Sequence, residues 1–365
     1  MPVIHALPAQ SPPVRPERAN NFDLLRLLLA VSVILSHSYI MFDGRDASDP
    51  LASLFRGITL GELAVDGFFL LSGYLIVQSW EKTPDLWSFM MKRIWRIYPG
   101  FIVAALFSAF VAGPLGSNAA SYLSQLELFK LAKSMLFLKV PAVPPSFESL
   151  PFPTVNGSMW TIFFEFLCYL SVAVLGLTGA IRHRRYWLMA TLLLVALGIA
   201  QKAWPFLPAQ NFYFPALRLS TFFFIGACFY LFREYVPYPD RSPSRWLPLF
   251  AGGLLLLLGV SYKALPDVVL ALGAGYLLFS LAFWQHPVLA CYRKCPDMSY
   301  GVYLYGWPVQ KLLLWYVPGM TPRMLFASSL ACSLVLGLVS WYAIERPFLR
   351  LKTFNWRFIK PKLTY

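Results

Sequence analysis

DLLRLLLAVSVILSHSYIMF, residues 23–42, is an apolar run that holds an arginine, Arg26, and a histidine, His37, where lipid favours neither. The hydrocarbon core of a bilayer is about 30 Å thick and takes roughly 20 mainly apolar residues per helical crossing. This run has that length. Nine more follow, at about 58–80, 94–112, 157–178, 187–203, 211–232, 246–262, 266–284, 298–317 and 324–344. Of the 365 residues, 58% are hydrophobic and 13% charged, and the mean hydropathy is +0.58, well outside the range of soluble domains. The expected fold is all-α, a polytopic membrane protein of about ten transmembrane helices.

The stretch 118–140 reads differently. Glu127, Lys130, Lys133 and Lys139 recur in it at helical spacing, which suits a helix lying at the membrane surface better than a span. The longer segment 113–156 ends in Pro141, Pro144, Pro145, Pro151 and Pro153. It fits either a cap over an outward-facing cavity or a plain connector. Orientation follows from lysine and arginine. With the N-terminus inside, 20 of the 31 basic residues fall on the cytoplasmic side and 8 outside. The net charge of +14 is then a matter of topology and not of nucleic-acid binding, because the basic residues sit in short clusters between apolar runs. Both termini are expected in the cytoplasm, with a tail at 1–21, a membrane domain at 22–348 and a basic tail at 349–365. Residues 1–21 lack an apolar core before a small-residue cleavage site, so no removable signal peptide is expected. Cys168, Cys228, Cys291, Cys295 and Cys332 show no metal-ligand or disulfide spacing, and no metal is expected.

Ionisable side chains inside spans are costly and face a protein interior or a wet cavity. Arg26 and His37 are 11 residues apart, three helical turns plus about 20°, so one face carries both with a rise of about 16 Å between them. Alone, Arg26 suits a positive-inside anchor and His37 a packing role; the shared face argues for function. His5, His183 and His286 fall in the tail or loops, which leaves His37 as the histidine for base catalysis. In GELAVDGFFLLSGY, Glu62 and Asp66 share a face. Asp66 enters at a depth close to His37, where a carboxylate can orient and stabilise a protonated imidazole. Glu62 reads as a helix-end carboxylate. In NGSMWTIFFEFLCYL, Glu165 lies inside the span with Tyr169 one turn on; it needs a partner, and Arg218 is an option. In MKRIWRIYP, Arg93 and Arg96 share a face beside Lys92. They serve either as topological anchors or as a clamp for the phosphates of a nucleotide-containing donor.

In this order, Arg26 with His37, GELAVDGFFLLSGY, KRIWRIYP, SMWTIFFEFLCYL, SYGVYLYGWPVQ and AIERPF resemble the membrane acyltransferase-3 family, over residues 22–348. The resemblance implies a multi-pass protein of the bacterial inner membrane. It implies movement of an acyl group, often acetyl, from cytoplasmic acetyl-CoA to a hydroxyl of a cell-surface or lipid-linked glycan. It implies His37 as the catalytic residue, Arg26 as its motif partner, and Arg93 and Arg96 as acyl-CoA contacts. Glu165 and Glu345 match the family's glutamate positions. Some relatives carry a histidine where this chain has Gly306, so a second-histidine mechanism does not carry over. The esterase-like domain fused to some relatives has no counterpart after Glu345. Capture of a glycan or glycolipid acceptor then falls to the outer loops or to separate polysaccharide-assembly proteins, with membrane lipid as the other partner and no nucleic acid.

The expected reaction brings acyl-CoA to the inner mouth and uses His37 as general base on a sugar hydroxyl; a covalent acyl-histidine fits equally. The rival reading is a secondary transporter or exporter of a glycan or small polar solute, whose cavity also holds isolated Arg, His, Asp and Glu. The lack of a visible internal repeat counts against it.

Overall fold

The structure, a computed structural model, describes residues 20–55, 58–208, 212–236, 246–262, 267–293 and 295–351. Most of both expected tails and the basic residues Arg56, Arg241, Arg245, Lys263 and Lys294 lie outside the described residues. Among the described residues the chain is helical with no strand, and a helix stands at each of the ten expected positions. These are α1 (Phe22–Asp43), α2 (Leu60–Lys82), α3 (Leu86–Leu115), α4 (Gly157–Leu177), α5 (Arg184–Ala203), α6 (Tyr213–Leu231), α7 (Trp246–Ser261), α8 (Asp267–Ala282), α9 (Ser299–Tyr316) and α10 (Pro322–Arg350). Seven of them, α1 to α6 and α10, are long and apolar enough to cross a membrane. The apolar helices α7 and α8 have 16 residues each, and α9 has 18 and carries the buried Gln310 and Lys311.

Local chemistry sets the ends that matter for the site. Thr59 and Glu62 form a capping box at the start of α2: Thr59 Oγ1 accepts from the Glu62 N–H at 3.1 Å and Glu62 Oε2 accepts from the Thr59 N–H at 3.0 Å. Helix α1 ends at Gly44, whose φ of 76° is the left-handed conformation that glycine adopts without a Cβ penalty. Helices α2 and α6 pack backbone to backbone. A Cβ on Gly73 would lie 1.9 Å from the Phe223 carbonyl oxygen, and one on Gly226 would lie 2.1 Å from that of Leu70. Small residues permit this approach between apolar helices, and it brings Arg218 of α6 against the first turns of α2.

The segment before α4 is not a loose connector. It begins with two short helices, Ala119–Gln125 and Leu128–Leu136. Nine residues reach only about 14 Å, far short of a crossing. Leu128 and Phe129 stand exposed beside a Lys130–Glu127 ion pair of 2.6 Å, as in a surface-lying amphipathic helix. Further on, Phe147 is fully buried among Ala112 and Val155, and the backbone is fastened to α9. Lys311 Nζ donates to the Pro151 carbonyl, Trp307 Nε1 to that of Thr154 at 3.0 Å, and Asn156 Nδ2 accounts for the Leu304 carbonyl at 2.9 Å.

Candidate active site

Two cavities among the described residues hold most of the expected site residues. The first, about 480 Å³, is lined by Asp23, Arg26, Lys92, Arg93, Arg96, Glu165 and Asp297 among apolar neighbours. The second, about 340 Å³, is lined by His37, Glu62, Asp66, Ser158, Trp160, Arg218 and Trp307. Arg26 and His37 thus share helix α1 but open into different cavities. Among the described residues, Val65 and Tyr303 alone line both.

In the arginine cavity one carboxylate organises two guanidiniums. Asp297 Oδ2 accepts from Arg26 Nη1 at 2.7 Å and from Arg96 Nη2 at 2.5 Å, and Asp297 Oδ1 accepts from Ser299 Oγ at 2.6 Å. Burial alone would raise the Asp297 carboxyl, but the Arg96 and Arg26 charges hold it well below the usual carboxylate range. Arg26 also reaches Asp23 at 2.9 Å, and Arg96 lies 3.5 Å from Glu345. A π-helical turn, Trp341–Glu345, carries Glu345 into that contact. Arg93 is different. It is 7% exposed, donates to the Phe89 carbonyl at 3.2 Å and sits 4.2 Å over the Phe89 ring. No carboxylate pairs with it among the described residues. The expected trio of donor contacts is therefore divided, with Arg26 and Arg96 neutralised by shared acids and Arg93 not.

In the histidine cavity, the His37 ring meets Trp307 edge to face, centroids 4.8 Å apart. Among the described residues no hydrogen bond reaches it. The expected partnership of Asp66 with His37 is not formed. Asp66 Oδ2 instead accepts from Arg218 Nη2 at 2.7 Å, and Glu62 Oε1 accepts from Arg218 Nη1 at 3.0 Å. The α2–α6 contact is the reason, since it lays Arg218 across two carboxylates one turn apart. Arg218 is accordingly not the partner of Glu165, which opens on the other cavity and accepts from Ser72 Oγ and Tyr169 Oη, both at 2.5 Å. The buried Asp66 Oδ1 accepts no hydrogen bond among the described residues. Asp49, fully buried, is bonded to Ser36 Oγ at 2.5 Å, one residue before His37 in α1. Gly306, where some relatives carry histidine, packs on α1: a Cβ there would lie 2.9 Å from Ile34 Cγ1.

Four residues at these sites escape a reading by spacing. Asp49 and Asp297 sit in connectors and look like ordinary loop acids, while Tyr303 and Trp307 look like apolar filling of α9. The usable signal was an acid two residues before SYGVYLYGWP, a position that places charge at a helix start.

The sequence matches the acyltransferase-3 family, described as an acyltransferase domain, over residues 20–344. It is similar to an O-acetyl transferase of Shigella phage Sf6, 27% identical over 355 residues, covering 91% of this chain and 96% of the relative. It is also similar to Nodulation protein 10 of Rhizobium leguminosarum bv. viciae, 27% identical over 372 residues, covering 92% and 94%. A third relative is the exopolysaccharide production protein ExoZ of Rhizobium meliloti (strain 1021), 28% identical over 309 residues, covering 80% and 90%. No solved structure matches the chain.

Proposed function

The chain belongs to the acyltransferase-3 family, and from that membership we propose that it transfers an acyl group, acetyl first among candidates, from cytoplasmic acyl-CoA to a hydroxyl of a cell-surface or lipid-linked glycan. We read it as a protein of the bacterial inner membrane with both termini in the cytoplasm, the orientation that gathers most of the basic residues on the cytoplasmic side. The relatives named as an O-acetyl transferase and an exopolysaccharide production protein support the reaction class and the acceptor class.

The observation that carries the reading is the division of labour between the cavities. Donor phosphates bind at Arg93 and Lys92, with Arg26 and Arg96 held as a rigid frame by Asp297. A fork of guanidinium donors left without a carboxylate suits phosphate oxygens. The pantetheine arm carries the thioester toward the His37 cavity. There a sugar hydroxyl gives its proton to His37 as its oxygen attacks the thioester carbonyl; the carbon–sulfur bond breaks, and the proton leaves on the CoA thiol. Asp66, held by Arg218, forms part of the cavity wall against which the acceptor docks, a positioning role in place of orienting His37. A positioned base of this kind contributes about 10² to 10⁴ in rate. The test compares O-acyl ester on surface glycan in cells producing the wild type and His37→Ala at equal membrane levels. Loss of the ester is expected; unchanged ester removes His37 from the chemistry, and lost glycan export with ester intact points to transport instead.

A further inference from the structure

The arginine and histidine cavities meet at two side chains that line both. Val65 of α2 and Tyr303 of α9 have a face in each. The Tyr303 hydroxyl is anchored from both sides: it donates to the Ser158 carbonyl at 2.7 Å and meets Thr161 Oγ1 at 2.7 Å. Ser158 lines the histidine cavity and Thr161 the arginine cavity. Phe68, another wall of the arginine cavity, packs edge to face on the Tyr303 ring with centroids 5.7 Å apart. Tyr303 is thus held from both sides, and Val65 is the other residue, among those described, that lines both cavities.

We propose that Val65 and Tyr303 determine which acyl groups this protein transfers, by admitting only a short acyl chain between them. The inference rests on the acyl-transfer reading above. If the nucleotide end of the donor is held in one cavity and the base works in the other, the thioester carbon reacts where the cavities meet. The sulfur and pantetheine extend back toward Arg93 and the acceptor oxygen arrives from the His37 side. The remaining substituent on that carbon, the acyl chain, has only the space bounded by Val65, Tyr303 and Phe68. Tyr303 is fixed by two hydrogen bonds and cannot yield cheaply, so Val65 sets the width. The overall reaction is unchanged: acyl-S-CoA and a sugar hydroxyl give the sugar ester and CoA thiol.

The experiment uses membrane vesicles of cells producing the full-length chain, supplied in parallel with labelled acetyl-, propionyl- and butyryl-CoA, and reads base-labile label in the polysaccharide fraction. Val65→Ala removes two carbons without disturbing a hydrogen bond, and it is expected to raise the propionyl-to-acetyl rate ratio about tenfold, the low end of what one methylene is worth in a fitted pocket. Val65→Phe fills that space; acetyl transfer should drop at least tenfold while equilibrium binding of acetyl-CoA stays within about twofold of wild type. Binding retained with transfer lost is a readout that misfolding does not produce. Wild-type acetyl transfer with an unchanged chain-length ratio in Val65→Ala overturns this inference alone. Wild-type vesicles that transfer none of the three acyl groups overturn the acyl-CoA reading together with it.

Discussion

The two cavities differ in how they hold charge. Around Arg93 the walls carry four cations and three carboxylates, Arg26, Lys92, Arg93 and Arg96 against Asp23, Glu165 and Asp297. Around His37 they carry one cation, Arg218, between the two carboxylates Glu62 and Asp66. With Glu345 behind Arg96 the charges of the first cavity come out even, but they are unevenly shared: one acid locks two arginines, and among the described residues no carboxylate pairs with Arg93. The second has spent its only arginine internally and leaves the imidazole against an aromatic edge. On the proposed reading an anionic ligand belongs in the first and proton transfer in the second, because a low-dielectric enclosure magnifies whatever charge is left unpaired.

The largest effect is expected where one residue supports a whole cavity. Asp297→Asn removes the carboxylate that two arginines share, each about a quarter exposed, and leaves Arg26 to Asp23 and Arg96 to Glu345; it should cost about 2 kcal/mol of stability, the worth of a charged hydrogen bond. Thermal unfolding in detergent measures it; an unchanged midpoint would show the arginine cluster to be solvated and the contrast between cavities overstated. Arg93→Ala should come next, raising the KM for acetyl-CoA about 10- to 100-fold, as loss of a charged hydrogen-bonding group implies, with kcat nearly constant. A fall in kcat with KM unchanged would move Arg93 to the chemistry and erase the division between the cavities.

Trp307→Phe tests the other side. It keeps an aromatic ring near His37 and loses the bond to the Thr154 carbonyl, so a drop in kcat of about 3- to 10-fold is expected, the worth of one aromatic pair or neutral hydrogen bond, with no change in KM for the donor. The smallest effect is acid sensitivity. Asp297 is held below its unfolded pKa of about 3.9, so its contribution is complete above that value and is lost as pH falls through the folded pKa. Stability curves of the wild type and Asp297→Asn should therefore run parallel from pH 7 to about pH 5 and converge below about pH 4. Convergence at higher pH would mean that Arg26 and Arg96 do not depress Asp297.

Much of the helical layout was legible in the sequence, because lipid forces every crossing to satisfy its backbone within one apolar segment. The positions of α1 to α10 follow from that constraint. Seven of the ten also meet the length and hydropathy of a span; α7, α8 and α9 are shorter or more polar than the periodicity alone conveys. At the site, a 3.6-residue repeat puts Arg26 with His37 and Glu62 with Asp66 on shared faces, and those faces exist. Spacing along one helix says nothing about what the next helix places opposite it. That is why Asp66 met Arg218 and not His37, and why Arg26 and Arg96, from helices far apart in the chain, converged on Asp297.

By itself, then, the sequence determined a helical membrane protein with membership in an acyltransferase family and a first helix bearing a cation and an imidazole on one face. The helices and the shared face are local or cumulative, set by hydropathy and helix period, and the membership rests on the ordered motifs along the chain. Only the tertiary structure decided that this face opens into two cavities instead of one, that among the described residues no carboxylate pairs with Arg93 while Arg26 and Arg96 share one, and that Val65 and Tyr303 line both cavities. Each of these depends on how closely helices approach, above all at Gly73 and Gly226, where the absence of two side chains lets α2 and α6 touch and sets the pairing of every charge around them.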